Sequence, residues 1–350
     1  MMKYTDTYWK GVDESIGCIP DAEKLFGKRI LITGATGMIC SAIADLLLRM
    51  NRAKQAGIEV IAAGRSREKV QARFCGFTEA DGLFYEYFDA AKAEEAKAAG
   101  SVDMIIHGAS NANPAIYMKE PVETILANIT GLDAMLQLAL RKSASRVLYI
   151  SSSEVYGQKE GMEPYREADY GFVDILSPRA GYPCSKRTGE SLCVAYGMQH
   201  QLDTVIVRPG HIYGPTITDA DNRASAEFTH KAVNGENITM NSPGLQLRSY
   251  CHTLDCASAI LTVLLHGESA SAYNISNPGS ICTIRQIAQA FSDAAGTELI
   301  TKMATEEEKK SYSPMSNSSL SSDRLEALGW KACFPLEKGV KQTVDVLKGI

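Results

Sequence analysis

The chain has 350 residues, 45% of them hydrophobic and 22% charged, with a formal net charge of -5. That length allows two domains or one large core with a smaller lobe, and the composition is that of an ordinary soluble globular protein. The acidic balance excludes a general attraction to nucleic acid or to an anionic membrane, so any polyanionic ligand needs a local site.

The nine cysteines are odd in number and scattered, without a Cys-x-x-Cys pair. They indicate neither a disulfide framework nor a zinc site, so no metal is expected and a reducing, cytoplasmic setting is the simplest reading. Met1 to Lys10 lacks the apolar run of a signal peptide. The most apolar window, Ile30 to Leu48, is interrupted by Thr33, Gly34, Thr36, Gly37, Ser41 and Asp45, which rules it out as a membrane span.

Residues 1–28 read as a leader that packs on the main domain, with Trp9 and Phe26 as anchors. Arg29 to Thr33 then forms a buried strand running into Gly34-Ala35-Thr36-Gly37-Met38-Ile39-Cys40 and a helix from Ser41 to Met50. Strand, glycine turn and helix in that order bring helix N-terminal amides up to a pyrophosphate, so Gly34, Thr36, Gly37, Met38 and Ile39 are candidate contacts of a dinucleotide. A second strand, Glu59 to Ala63, ends at Gly64-Arg65-Ser66-Arg67. A carboxylate there would hold the ribose diol of NAD; its absence, with Arg65, Ser66 and Arg67 in its place, favours the extra phosphate of NADP. Further strands, Leu83 to Phe88 and Met104 to His107, deliver Asp89 and Ala109 to the ligand edge of the sheet, and His107 reads as a structural turn residue. The helix from Val122 to Arg141 carries Ile125, Ile129, Leu132, Leu136 and Leu140 as a core stripe.

A fifth strand, Arg146 to Ile150, ends in Ser151-Ser152-Ser153-Glu154, hydroxyls and a carboxylate suited to a sugar hydroxyl and a moving proton. Tyr182 and Lys186 stand four residues apart, which puts them on one helical face about 5–6 Å apart. A tyrosine titrates near 10, so base action at neutrality requires a fall of roughly 3 units. The Lys186 ammonium, aided by a cofactor's positive charge, is the source expected for it. From Pro209 onward the elements become short: a helix from Ala224 to Val233, the stretches Arg248 to Thr253 and Leu254 to Leu265, Tyr273 to Ser276, and a helix from Ile284 to Ala294. Arg248 offers a planar fork for phosphate or carboxylate, and Ser311 to Ser322 reads as a serine-rich surface segment. The fold expected is α/β, a doubly wound parallel sheet over residues 29–208 with a smaller, mainly substrate-binding α/β lobe over 209–350.

The glycine loop, the Ser-Ser-Glu strand end and the Tyr182/Lys186 pair together resemble the extended short-chain dehydrogenase/reductase superfamily and its sugar-nucleotide epimerase/dehydratase/decarboxylase branch, from Lys28 to about Leu347. Within that branch the chain is most similar to UDP-glucuronate decarboxylases. The similarity lies at Ala109-Ser110-Asn111-Ala112-Asn113-Pro114 with Tyr117, at Ser153 to Gly157, at Pro178 through Arg187, at Leu247 to Tyr250 and at Leu328-Gly329-Trp330. The resemblance implies an enzyme with a recycled NAD(P), a transient 4-keto sugar nucleotide and a homodimer. It places Tyr182 and Lys186 at the C4 hydroxyl and the cofactor, Ser152, Ser153 and Glu154 at the hexose, Tyr117 by a sugar carboxylate, and Arg179, His211 and Arg248 among the substrate contacts. Departures from the pattern are Cys40 at the third glycine, the missing acidic residue after the second strand, Ser152 where threonine is commoner, and His211 where the decarboxylases carry asparagine. Dehydration to a 4-keto-6-deoxy sugar, C4 epimerisation and, from another class, a non-catalytic dinucleotide-binding regulator stand as alternatives.

Overall fold

The structure is a computed structural model and describes residues 4–93, 96–177, 179–218, 221–302 and 316–350. Its first element is helix α1 (Asp6–Gly17), started by Thr5, whose hydroxyl accepts the Tyr8 N–H. The helix docks through its apolar face and through Asp45, a fully buried carboxylate. That carboxylate accepts the hydroxyls of Tyr4 at 2.8 Å and Tyr8 at 2.5 Å and pairs with Arg73 at 2.6 Å. Tyr8 and Val12 are fully buried anchors, with Trp9 and Phe26 half-buried at the margin. Just past α1, Cys18 forms a disulfide with Cys333, 315 residues away. This corrects the expectation of no disulfide: the pair exists because the leader lies against the chain's far end, which has no local signature.

The strands β1 (Arg29–Thr33), β2 (Glu59–Gly64), β3 (Leu83–Tyr87), β4 (Met104–His107), β5 (Arg146–Ile150) and β6 (Thr204–Pro209) alternate with α2 (Met38–Lys54), α3 (Arg67–Arg73), α4 (Pro114–Lys119), α5 (Pro121–Lys142) and α6 (Gly181–His200). Strands buried on nearly every residue, such as β1 and β5, are those of a parallel sheet covered on both faces. The expected core stripe of α5 is turned: Leu132 and Leu136 are buried, Ile125 and Ile129 half-buried, and Leu140 is exposed. Small residues explain the turn, since Gly131 packs so closely on Ala90 that a Cβ would lie 2.7 Å from Ala90 Cβ.

The second half continues with β7 (His211–Tyr213), α7 (Ala224–Asn234), β8 (Ile238–Met240), β9 (Leu247–His252), α8 (Thr253–His266), β10 (Ser271–Ile275), β11 (Ile281–Thr283), α9 (Ile284–Ala295), β12 (Leu299–Thr301), β13 (Asn317–Ser318) and a C-terminal helix, Leu336–Lys348. Seven parallel strands form one sheet in the order β10-β6-β5-β4-β1-β2-β3, so the winding reverses between β1 and β4 and opens a crevice at their C-terminal ends. Both β10 and α8 belong to this large layer, although they come from the second half of the chain. The remaining elements gather around β9, which pairs with β7, β11 and β13, over a core of Tyr213, Phe228, Tyr250, Phe291 and Val340.

Of the serine-rich segment expected at the surface, residues 311–315 lie outside the described residues. Ser316 is exposed as expected, but Asn317, Ser318, Ser319, Leu320 and Ser322 are buried, which contradicts the expectation. Each small polar group finds a partner inside, as where the Leu320 N–H meets Ser249 Oγ at 2.8 Å and the Ser319 hydroxyl meets Asn317 Oδ1 at 2.7 Å. Among the described residues no helix is long and apolar enough to cross a membrane, and no cluster of three or more potential ligand side chains could hold a metal ion.

Candidate active site

The glycine loop is fixed by the last residue of β1. Thr33 Oγ1 accepts the N–H groups of Gly108 at 3.1 Å and Ala109 at 3.2 Å and sits 2.9 Å from His107 Nδ1. With two donors on the hydroxyl oxygen, its proton goes to Nδ1, which leaves the other ring nitrogen protonated and the ring neutral. Burial and the Lys186 ammonium push the His107 pKa down to about 3, so this side chain is a clamp. Gly34 has a φ of +68°, and a Cβ there would stand 3.0 Å from the Ala109 backbone. Gly37 caps α2 with no side-chain bond, so α2 starts three residues earlier than expected and its first-turn amides face the crevice edge. The crowding expected from Cys40 is taken up by Gly108, where a Cβ would meet Cys40 Sγ at 2.3 Å. These features fit the pyrophosphate of a dinucleotide: bare backbone, no Cβ at the closest approach, and a helix N-terminus. From the other lobe, Thr216 Oγ1 donates to the Met38 carbonyl at 2.8 Å.

At the end of β2, Arg65 is exposed and the Arg67 guanidinium lies 5.9 Å from the Tyr85 ring centre, while Ser66 caps α3 by accepting the Lys69 N–H. Asp89 turns one carboxylate oxygen to the Ala91 N–H at 3.1 Å.

The end of β5 faces the first turn of α6. Ser152 opens a 3-10 turn, Ser153–Tyr156, and accepts the Glu154 N–H at 3.1 Å, which points its own proton toward the Tyr182 oxygen. The Tyr182 ring stacks on Tyr117, 5.1 Å between centres and 12° between planes. Lys186 Nζ donates to the Ile150 carbonyl at 2.9 Å and lies 5.8 Å from the Tyr182 ring centre. Burial pulls the Lys186 pKa down to about 7, opposed chiefly by Glu190. Burial and then the Glu154 carboxylate push the Tyr182 phenol above its ordinary value, while Ser152 and Arg223 pull it down. The lowering expected from Lys186 is therefore not supplied by the chain alone, because the ammonium is tied to a carbonyl rather than to the phenol. Glu154 is itself pushed up by burial, against the Arg179 guanidinium and the Tyr117 hydroxyl.

Several residues of this floor escaped the sequence. Glu190 accepts the Ser151 hydroxyl at 2.6 Å and the fork of Arg208 at 2.9 and 2.6 Å. Asn128 Nδ2 donates to Ser185 Oγ at 2.9 Å, and Ser185 donates to the Tyr182 carbonyl. The one available signal was the spacing of Glu190, four residues beyond Lys186.

The lobe side of the cleft is cationic. Arg248 is 5% exposed and donates to the Leu247 carbonyl at 2.9 Å. His211 Nε2 is 3.2 Å from Ser318 Oγ, with its ring 5.6 Å from that of Tyr250. Burial, then Arg248 and Arg223, push its pKa down to about 3. Arg223, also missed, is gripped by Asp221 at 2.9 and 2.5 Å and reaches Met38 Sδ at 3.3 Å. The structure thus joins Tyr117, Ser152, Glu154, Arg179 and Tyr182 in one group and His211 and Arg248 in another, with Arg223 acting on both Tyr182 and His211. Arg65, Ser66, Arg67 and Asp89 stand apart, at the ends of β2 and β3.

Residues 30–276 match the model of the NAD dependent epimerase/dehydratase family. The chain is 31% identical over 316 residues to UDP-glucuronic acid decarboxylase 6 of Arabidopsis thaliana, covering 89% of this chain and 86% of that protein. It is 30% identical over 323 residues to UDP-glucuronic acid decarboxylase 1 of Xenopus tropicalis, covering 92% and 72%. Its fold is that of UDP-glucose 4-epimerase from Thermotoga maritima, crystallised with UDP-glucose (TM-score 0.73, 20% identity, 91% and 98% covered). It is equally that of the dTDP-glucose 4,6-dehydratase DesIV from Streptomyces venezuelae, crystallised with NAD (TM-score 0.73, 23% identity, 91% and 96% covered). With a family model spanning both the glycine cradle and the Tyr182/Lys186 floor, the chain belongs to the NAD dependent epimerase/dehydratase family.

Proposed function

We propose that this chain decarboxylates a UDP-activated hexuronate through a transient 4-ketone, working as a homodimer. The observation that carries the reading is the Tyr117–Tyr182 stack, which lays the Tyr117 ring on the candidate base with Glu154 and Arg179 in electrostatic reach of the Tyr117 hydroxyl. Relatives bearing the decarboxylase name, similar over most of the chain, support it. Gly34, Thr36, Gly37, Met38 and Ile39, with Ala109, would hold the pyrophosphate side of a bound NAD(P), whose nicotinamide supplies the hydride acceptor and a positive charge.

Tyr182 takes the proton of the C4 hydroxyl; the Ser152 hydroxyl steadies the phenolate, and the Lys186 ammonium together with the positive charge of a bound nicotinamide would complete that support. With a carbonyl at C4, the electron pair of the C5–C6 bond flows toward that ketone as the carboxylate leaves as carbon dioxide. Glu154, pushed up by burial, positions the sugar and helps return a proton to C5. Arg248, His211 and Arg223 hold the substrate from the lobe, in keeping with residues 209–350 as the mainly substrate-binding half. NADP is preferred over NAD, a choice supported by the exposed Arg65 and by the absence of a carboxylate from Gly64 to Arg67. The exposed apolar side chains of Val122 and Leu126 on α5 support the dimer.

One observation favours 4,6-dehydration as a second reading, since Glu154 lies near enough to Tyr182 to raise its phenol, where a base for the C5 proton would stand. Incubation with UDP-glucuronate and with neutral UDP-, dTDP-, GDP- and CDP-hexoses, followed by mass spectrometry, separates the readings. Loss of carbon dioxide from UDP-glucuronate is expected. Loss of water from a neutral hexose with UDP-glucuronate untouched would overturn it, and an isomer of unchanged mass would mean an epimerase.

A further inference from the structure

Glu190 lies one helical turn beyond Lys186, and nothing in the C4 chemistry uses it. Its Oε1 accepts the Ser151 hydroxyl at 2.6 Å and Arg208 Nε at 2.9 Å, and its Oε2 accepts Arg208 Nη2 at 2.6 Å. Arg208 is anchored in turn by the Tyr156 hydroxyl at 3.0 Å and the Glu167 carbonyl at 2.9 Å. Ser151 directly follows Ile150, whose carbonyl receives Lys186 Nζ at 2.9 Å. We infer that Glu190 is a positioning residue for Lys186: by gripping Ser151 it fixes the peptide on which the ammonium rests, and it sets its carboxylate one turn away on the same helical face. The inference rests on the proposed use of Lys186 as an ammonium beside Tyr182.

Lys186 is faced by Glu190 and Cys193 from α6, Cys40 from α2, His107 from β4, the Tyr149 ring from β5 and Tyr182 from its own helix. Burial holds the Cys40 thiol up at about 12, raises the Cys193 thiol and both phenols, and keeps His107 neutral. Glu190 is thus the carboxylate in this set. Burial drags the lysine toward neutrality, and Glu190 is foremost among the influences that retain its proton. Removing the carboxylate also leaves the buried Arg208 guanidinium without its ion-pair partner.

The test is an NMR titration of the full chain labelled with 13C at lysine Cε, with Lys186→Met for assignment. In Glu190→Gln the Lys186 midpoint falls by about one unit, and the alkaline limb of turnover moves down with it. An unmoved midpoint in the folded variant overturns the inference. Ser151→Ala, which removes a single hydrogen bond, keeps the test open should Glu190→Gln not fold. It retains the charge, so kcat falls by roughly tenfold with KM unmoved and the midpoint shifts little. Unchanged kcat, or a full shift of the midpoint, overturns the positioning role. Because the titration needs no substrate, failure to turn over UDP-glucuronate counts against the proposed reaction, and an unmoved midpoint against Glu190.

Discussion

The floor and the roof of the cleft are built in opposite ways. The floor sets Ser152 and Glu154 in the turn just past the buried strand β5 and Tyr182 and Lys186 on the first turns of α6, and its side chains are groups that exchange protons. The roof gathers His211, Arg223, Arg248 and Ser318 from separate segments, and it offers fixed positive charge. A sheet covered on both faces holds atoms to the accuracy that proton transfer needs, whereas a guanidinium fork tolerates small displacements and still pairs with a phosphate or carboxylate. Damage to the floor should therefore be read in kcat, and damage to the roof in KM.

The largest expected effect tests the floor. Tyr182→Phe keeps the stack on Tyr117 and removes only the proton acceptor, so kcat should fall by about 10²–10⁴-fold with dinucleotide affinity nearly unchanged. Steady-state kinetics beside a cofactor titration checks this, and full activity would sink the mechanism. Next comes the roof: Arg248→Met should raise KM for the nucleotide sugar by roughly 10–100-fold, the worth of a charged hydrogen bond, and leave kcat within a few-fold. A kcat loss as large as that of Tyr182→Phe would erase the division between the two regions.

A smaller effect is expected at the edge that belongs to neither region. The double variant Arg65→Ala, Arg67→Ala should weaken NADP by about tenfold and leave NAD unaffected, as read by titrating the protein with each dinucleotide. If NAD binds at least as tightly as NADP and the variant changes neither, the arginines are solvated charges.

The smallest effect compares floor and roof through stability. His107 in β4 and His252 in β9 are both buried and both have pKa values pushed down to about 3 by burial. Against an unfolded value near 6.5, the unfolded chain binds more protons between those limits. The stability they contribute is complete above about pH 6.5 and drains as pH falls toward 3, by about 1.4 kcal/mol per pH unit for each ring. Asp255, pushed up to about 6 by burial, works with the opposite sign between about pH 6 and 3.8 and offsets one of them there. His211, likewise pushed down to about 3, adds a third ring of the same sign, so thermal unfolding from pH 7 to pH 4 should show the slope of three rings less that of Asp255. His107→Asn and His252→Asn should each remove a similar share; unequal shares would mean that partners, and not burial, set the two values.

Much of the floor could be read along the chain because its determinants are close in sequence. An apolar run, two glycines and a helix start lie within residues 29–41, and a period of four joins Tyr182 to Lys186. The same periodicity misjudged α5, where Leu140 faces solvent, because close packing of Gly131 on Ala90 turned the helix. The roof was legible only as separate candidates. Arg248 offered a planar fork with nothing local to show that β9 would bury it, and Arg223 gave no signal before Asp221 aimed it at Met38.

By itself the sequence determined the doubly wound sheet, the glycine cradle and the Tyr182/Lys186 pair, since each depends on backbone freedom or on a repeat shorter than two helical turns. The tertiary structure alone decided the Glu190–Arg208 grip on Ser151, the Cys18–Cys333 link and the burial of Asn317 to Leu320. Those features join residues 18 to 315 positions apart, and a polar or sulfur side chain carries no mark of which distant partner will meet it once water has been excluded around both.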